Sequence, residues 1–230
     1  MMVAMSWQPD ELAYAGPEHL DEAFIRGYDR KQGYPDPASE IAVFEAQGFG
    51  KSSTIVDIGA GTGQFAVAAA ARFGHVTAVD VSPAMVAHLE QRAKSQPNLD
   101  VVRAGFLSFE AEGVDGVFSR HALHQLPDFF KAIALERIAR WLRPGGVLRV
   151  RDLIYDFQPA EAEAIFADWF AGAASDPAAG YTAEDYETHI RTEFSTYRWL
   201  FEPMLAAAGF DIVDVTYERR LFGEYTCRRR

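Results

Sequence analysis

The run Val56-Asp57-Ile58-Gly59-Ala60-Gly61-Thr62-Gly63-Gln64-Phe65 joins a strand to a helix through three glycines at alternate positions. The β-branched residues Thr54-Ile55-Val56, continued by Asp57-Ile58, have the composition of a buried strand. The alanine-rich residues 65–73 that follow the glycines read as a helix. Strand, glycine turn and helix together make a holder for a polar or anionic ligand. Glycine reaches positive φ and lets a ligand approach where a Cβ would stand. The helix start adds N–H groups and the positive end of a dipole. A dinucleotide fingerprint is spaced G-x-G-x-x-G; here the spacing is Gly59-x-Gly61-x-Gly63, with Asp57 two residues ahead. Alone, the loop also suits a tight turn without a ligand.

The flanking segments point to a ligand. Residues 76–80 form a second strand ending in Asp80, whose carboxylate can accept from both hydroxyls of a ribose. Ser82-Pro83 reads as N-cap and first residue of a helix running through Met85 to about residue 94. Further strands are expected at 99–104, 114–119 and 147–152, with a helix over 128–142 and the turn Arg143-Pro144-Gly145-Gly146. Strands alternating with helices give an α/β, doubly wound sheet covered on both faces. Ligands in such sheets lie at the carboxyl ends of the strands. Asp57, Gly59, Asp80, Phe106, Ser119, His121, His124 and Asp152 all fall there.

D-x-G-x-G-x-G, together with Asp80-Val81-Ser82-Pro83-Ala84-Met85, Ala122-Leu123-His124-Gln125-Leu126-Pro127-Asp128 and the Pro-Gly-Gly turn, resembles the class I S-adenosylmethionine-dependent methyltransferases. Within that class the chain resembles the ubiquinone/menaquinone-biosynthesis-like small-molecule group. It is strong over 54–152, weaker over 196–227, where Leu205-Ala206-Ala207-Ala208-Gly209-Phe210 carries it, and slight elsewhere. The resemblance implies a Rossmann-like seven-stranded sheet with the last strand antiparallel. It implies S-adenosyl-L-methionine as cofactor and S-adenosyl-L-homocysteine as product. The cofactor-binding positions it implies are Tyr28, Asp57, Gly59, Ala60, Gly61, Gly63, Asp80, Val81, Met85, Gly105, Phe106 and Ser119. Tyr28-Asp29 and Tyr34 match a stretch that covers the methionine end in that family. Two positions depart from it. Gly105 stands where an aspartate accepts from the adenine amino group, leaving Phe106 to stack and offer its N–H. Gln125 replaces a second histidine.

Methyl transfer from a sulfonium is a direct displacement, so alignment and exclusion of water come first. A protonated acceptor also needs a base, for which His121 and His124 are the candidates; either can instead hold the loop by a hydrogen bond. Asp152 is expected either at the site or paired with Arg120 or Arg151. No metal ligand set is assigned.

Residues 1–50 read as a helical, aromatic-rich cover containing Trp7, Tyr14, Phe24, Tyr28, Tyr34, Phe44 and Phe49, with helices over 21–30 and, capped by Ser39, over 39–47. Residues 153–195 read as a helical cap, with Phe166, Trp169 and Phe170 on one helix and a capping box from Thr182 to Asp185 on another. The whole chain, 1–230, reads as one domain. Its net charge of −11 argues against binding the nucleic-acid backbone, and Arg228-Arg229-Arg230 reads as a solvated tail. The single cysteine, Cys227, and an N-terminus without a signal sequence suit the cytoplasm, and no apolar run is long enough for a membrane. The expected partner is a small, apolar or planar acceptor; the oligomeric state is not legible. The rival readings are a tRNA- or protein-modifying methyltransferase and a catalytically silent cofactor-binding module.

Overall fold

A computed structural model describes residues 7–16, 22–32 and 36–230. Tyr34, and the turn residues Gly33 and Pro35, lie outside them, as does the side chain of Phe24. Five parallel strands, β1 (Thr54–Ile58), β2 (His75–Asp80), β3 (Leu99–Arg103), β4 (Val114–Arg120) and β5 (Leu142–Tyr155), form most of the sheet. A two-residue strand, β6 (Thr196–Tyr197), runs parallel to the end of β5. The hairpin β7 (Phe210–Glu218) and β8 (Phe222–Arg229) completes the order β3-β2-β1-β4-β5-β8-β7, with β8 antiparallel to both neighbours. The seven-stranded expectation therefore holds, with one short strand added.

Period-two alternation divides the core. Val56 and Ile58 face α5 (Asp128–Trp141) and α8 (Arg198–Ala208), packing with Leu135, Ile138, Trp141 and Phe201. Ile55 faces the other way, toward Phe44 of α2 (Ala38–Ala46), Phe65 of α3 (Gln64–Ala70) and Leu89 of α4 (Pro83–Ala93). Ahead of these lies α1 (Glu22–Lys31). The chain reverses direction across the sheet between β1 and β4, which opens a crevice at their carboxyl ends.

Three local expectations change. Ser39 is not the cap of α2; Pro37 holds the N-cap position, and Asp36, three residues ahead of Ser39, accepts from the N–H of Ala38 at 2.9 Å. β5 absorbs the Pro-Gly-Gly turn at its start and continues to Tyr155, because its edges find partners in β4, β8 and β6. The basic end is not a solvated tail. Arg228 and Arg229 belong to β8, and their guanidinium groups donate to the carbonyls of Gly145 and Leu142, while Arg230 reaches the carbonyl of Ala206 at 2.7 Å. A charge run does not reveal strand pairing, so this placement is invisible locally.

Beyond β5 come α6 (Ala162–Ala171) and α7 (Ala183–Thr192), the helices of the segment expected to cap the site; none of its residues is among the cleft walls. The capping box is present: Asp185 N–H donates to Thr182 Oγ1 at 3.2 Å, and Thr182 N–H donates to Asp185 Oδ2 at 2.8 Å. The cap aromatics bury one another around Tyr155, Phe157 and Trp169, with Trp169 stacked on Tyr186 at 4.2 Å between centroids.

Candidate functional site

The glycine loop is shaped by its own hydrogen bonds. The N–H groups of Gly59 and Ala60 both donate to Val79 C=O, at 2.9 and 3.0 Å, because the β1–β2 pairing continues past Ile58. The N–H of Gly61 donates to Asp80 Oδ2 at 2.8 Å. These N–H groups are therefore spent inside the protein, and the loop supplies room rather than donors. Gly59 has φ 75° and a Cβ there would overlap that of Ala122. Gly63, at φ 78°, caps α3, and a Cβ would overlap Leu89. Gly63 is a packing residue beside the site and does not line it.

Asp80, at the end of β2, is 9% exposed. Its Oδ1 accepts from Ser82 N–H at 2.9 Å, while Ser82 Oγ caps α4 by accepting from Met85 N–H at 3.2 Å. Two backbone N–H bonds thus fix the carboxylate at the wall of the cleft. Asp57 is 3% exposed, and burial together with the Asp80 charge pushes its carboxyl up to about 8 against a hydrogen bond from Ala66 N–H.

Over these residues lies a cleft with two lobes, holding about 610 and 660 Å³ of empty space, that meet at Tyr28, Gly59, Gly61 and His121. One lobe has Asp80, Val81, Met85, Gly105, Phe106 and Leu126 along its walls. The other is walled by Asp57, Ala60, Thr62, Phe65, Phe118 and Arg120. Of the residues expected to bind a cofactor, Tyr28, Asp57, Gly59, Ala60, Gly61, Asp80, Val81, Met85, Gly105 and Phe106 come together here. Ser119 does not. Alternation along β4 turns its neighbours Phe118 and Arg120 to the cleft and leaves Ser119 buried away from it.

The two histidines separate. His121, at φ 48°, lines both lobes; burial, and then the Arg120 charge, push it down to about 3, so the ring is neutral. Its buried Nε2 has no hydrogen-bond partner among the described residues. His124 is absent from the cleft walls. Its Nδ1 bonds Asp152 Oδ1 at 2.5 Å, while its Nε2 is ion-paired with Glu193 Oε2 at 2.9 Å and lies 3.2 Å from Gln125 Nε2. Burial alone would lower it, but the two carboxylates more than offset this and hold it at about 10. An imidazolium with both nitrogens engaged has no lone pair for a proton, so the geometry corrects the expectation that His124 serves as a base. Asp152 also departs from the reading. It pairs with His124 instead of an arginine and accepts from the N–H groups of Leu123 and Leu153 at 2.8 and 2.7 Å. Arg151 pairs with Glu218 and Glu224. His124, His189 and Glu193 bring metal-ligating atoms within 4.8 Å of one another, but these groups are already ion-paired among themselves, His189 Nδ1 with Glu193 Oε2 at 2.5 Å.

The sequence reading missed Glu11, Gln32, Glu40 and Gln125 as wall residues. Glu40 is a helical acid whose partner, Arg149 at 2.7 Å, lies in β5; no local pattern announces it.

The fold and the crevice define a doubly wound α/β protein with a ligand cleft at the carboxyl ends of its strands. Known proteins narrow this. Residues 55–146 match the methyltransferase domain family. An uncharacterized methyltransferase of Exiguobacterium sibiricum is 30% identical over 168 residues, covering 72% of each chain. The malonyl-[acyl-carrier protein] O-methyltransferase of a Paenibacillus species is 28% identical over 191 residues, covering 76% of this chain and 63% of that protein. Among solved structures, magnesium protoporphyrin IX methyltransferase from Synechocystis, with bound S-adenosylhomocysteine, superimposes with a TM-score of 0.68 at 14% identity over 96% of this chain and 100% of that one. The chain belongs to the class I S-adenosylmethionine-dependent methyltransferases. No described helix is long and apolar enough to cross a membrane.

Proposed function

We propose that this protein transfers the methyl group of S-adenosylmethionine to a small-molecule acceptor by direct displacement, within a reducing cytoplasm. The observation that carries the cofactor assignment is Asp80. Its carboxylate is pinned by two N–H groups at the floor of a cleft whose glycine wall leaves no Cβ in the way. The cleft also keeps unmet polar atoms: Arg120 Nε and His121 Nε2 have no hydrogen-bond partner among the described residues. These features fit the cofactor. Asp80 would hold the ribose hydroxyls, Val81, Met85 and Phe106 the base, and Arg120 the carboxylate of the methionine end. The bound sulfonium supplies an already activated methyl group.

His121, where the lobes meet, would accept the proton of a hydroxyl or amine acceptor. The small-molecule acceptor is supported by relatives such as the malonyl-[acyl-carrier protein] O-methyltransferase and an O-methyltransferase of Aspergillus nomiae. An apolar or planar acceptor suits the Phe65 and Phe118 walls; the cap aromatics are consumed in their own core.

Calorimetry tests the cofactor. S-adenosylhomocysteine should bind and NAD should not. Asp80→Ala should weaken binding by about 1.5–3 kcal/mol, the scale of hydrogen bonds to a charged group. Unchanged affinity would remove Asp80 from the ribose, and no binding to the native protein would leave a silent shell. His121→Ala should keep cofactor affinity and lose about 10²–10⁴ in turnover, and native turnover should show no histidine limb between about pH 5 and 8. Retained turnover in the variant would assign the proton to another group.

A further inference from the structure

Glu11 opens a short 3-10 turn, Glu11–Tyr14, that is capped by Asp10, whose Oδ1 accepts from Leu12 N–H at 3.1 Å. The Glu11 side chain takes no part in that turn. It crosses to the loop after β3, where Oε1 accepts from Leu107 N–H at 3.0 Å and Oε2 accepts from Ser108 Oγ at 2.9 Å. A Cβ built on Gly105 would lie 2.5 Å from Glu11 Cδ and 2.8 Å from Oε2. The carboxylate of Glu11 therefore occupies the place that an acidic side chain at position 105 would take for its own. Only a glycine at 105 leaves room for it.

The same lobe has both Asp80 and Glu11 among its walls, together with the apolar surfaces of Val81, Met85, Phe106 and Leu126. A ligand matched to such a lobe combines an apolar body with hydrogen-bond donors for two separate carboxylates. Glu11 makes no ion pair among the described residues, and burial raises its pKa against the N–H and O–H groups it accepts from. Glu11 is half-buried and also accepts from the Phe106 backbone, and a carboxylate with about four acceptor positions has room for one more donor.

We infer that Glu11 contacts the purine of the bound cofactor, its carboxylate accepting a hydrogen bond from the exocyclic amino group, so that the turn at residues 11–14 forms part of the donor site. This rests on S-adenosylmethionine being the cofactor. The residue that reads the amino group is then delivered from far along the chain, and Gly105 is the vacancy that admits it.

Titration calorimetry on the full chain tests this with two probes, S-adenosylhomocysteine and its deaminated analogue S-inosylhomocysteine, which carries an oxygen in place of the amino group. The native protein should prefer the amino form by about tenfold or more. Glu11→Ala should lose most of that preference by weakening the amino form while sparing the analogue. Gly105→Asp alone places a second acid on Glu11 and should weaken both ligands; Glu11→Ala with Gly105→Asp should restore the preference. Equal weakening of both ligands in Glu11→Ala would mean that Glu11 only braces the 105–108 turn, and the inference falls. A native protein that binds both probes equally overturns it as well. If the native protein binds neither, the cofactor reading fails with it, and that outcome is distinct from the other two.

Discussion

Asp57 and Asp80 stand close enough for each to feel the other's charge, and the consequence is a proton. Burial and Asp80 hold the Asp57 carboxyl at about 8, so it is protonated in the empty cleft near neutral pH. A cation beside it favours the ionised form. Binding of S-adenosylmethionine near pH 7 should therefore expel a proton, whereas the homocysteine product, lacking the sulfonium charge, should expel less. The sign for affinity follows: preference for the charged ligand grows as pH rises toward about 8, where Asp57 ionises unaided. Calorimetry in buffers of different ionisation enthalpy measures the difference, and Asp57→Asn should erase it. Equal release by both ligands would show that Asp57 does not sense the sulfur. Both aspartates were legible because they end strands that announce themselves. Glu11 was not, since nothing in Asp10-Glu11-Leu12 points to a partner at Leu107.

The β7–β8 hairpin carries a cost that its sequence does not advertise. Arg219 and Arg220 have φ 53° and 62°, and Leu221 N–H closes the turn on Glu218 C=O at 3.0 Å. Positive φ at both central residues is the mark of a type I′ turn, which favours Asn-Gly. The arginines serve a second element instead: Arg219 pairs with Asp168 of α6 at 3.2 Å, and Arg220 pairs with Glu161 at 3.0 Å. Arg219→Asn with Arg220→Gly should raise the melting temperature by about 2–4 °C through relief of left-handed strain. The same double variant should speed hydrogen exchange in α6, which loses its tethers. A fall in melting temperature would mean that the tethers outweigh the strain. Elements with local signals, from β1 through α4, were read to within three residues at their ends, because their glycines, Ser82 cap and apolar periods lie within the segment. The reach of β5, the pairing of β6 and the strand formed by the basic end depend on partners far away in sequence, and no window along the chain contains both sides.

In the molecule as a whole, one charged ring joins three layers. His124, from the loop after β4, lies between Asp152 on β5 and Glu193 at the end of α7. Its pKa is raised to about 10 in the folded protein, above the ordinary histidine value. This stabilisation is complete below about pH 6.5 and is lost as pH rises through about 10. Chemical denaturation across that window should show alkaline loss that His124→Ala abolishes, in a variant already weaker by about 3–5 kcal/mol because Asp152 is left buried without its counter-charge. An unchanged alkaline slope would move the effect to another group. The doubly wound sheet was readable because alternating strands and helices admit few arrangements, whereas this knot of side chains required the finished packing. The order of the sheet also bears on how the protein is made. β8 follows β7 in the chain yet separates it from β5, and β7 is hydrogen-bonded to β8 alone among the strands. During synthesis β7 leaves the ribosome before there is anything for it to join, and the edge of β5 stays bare meanwhile. Both wait on residues 222–229, so a chain in which that segment has not yet paired presents two open strand edges at once, the state in which a chaperone has most to shield.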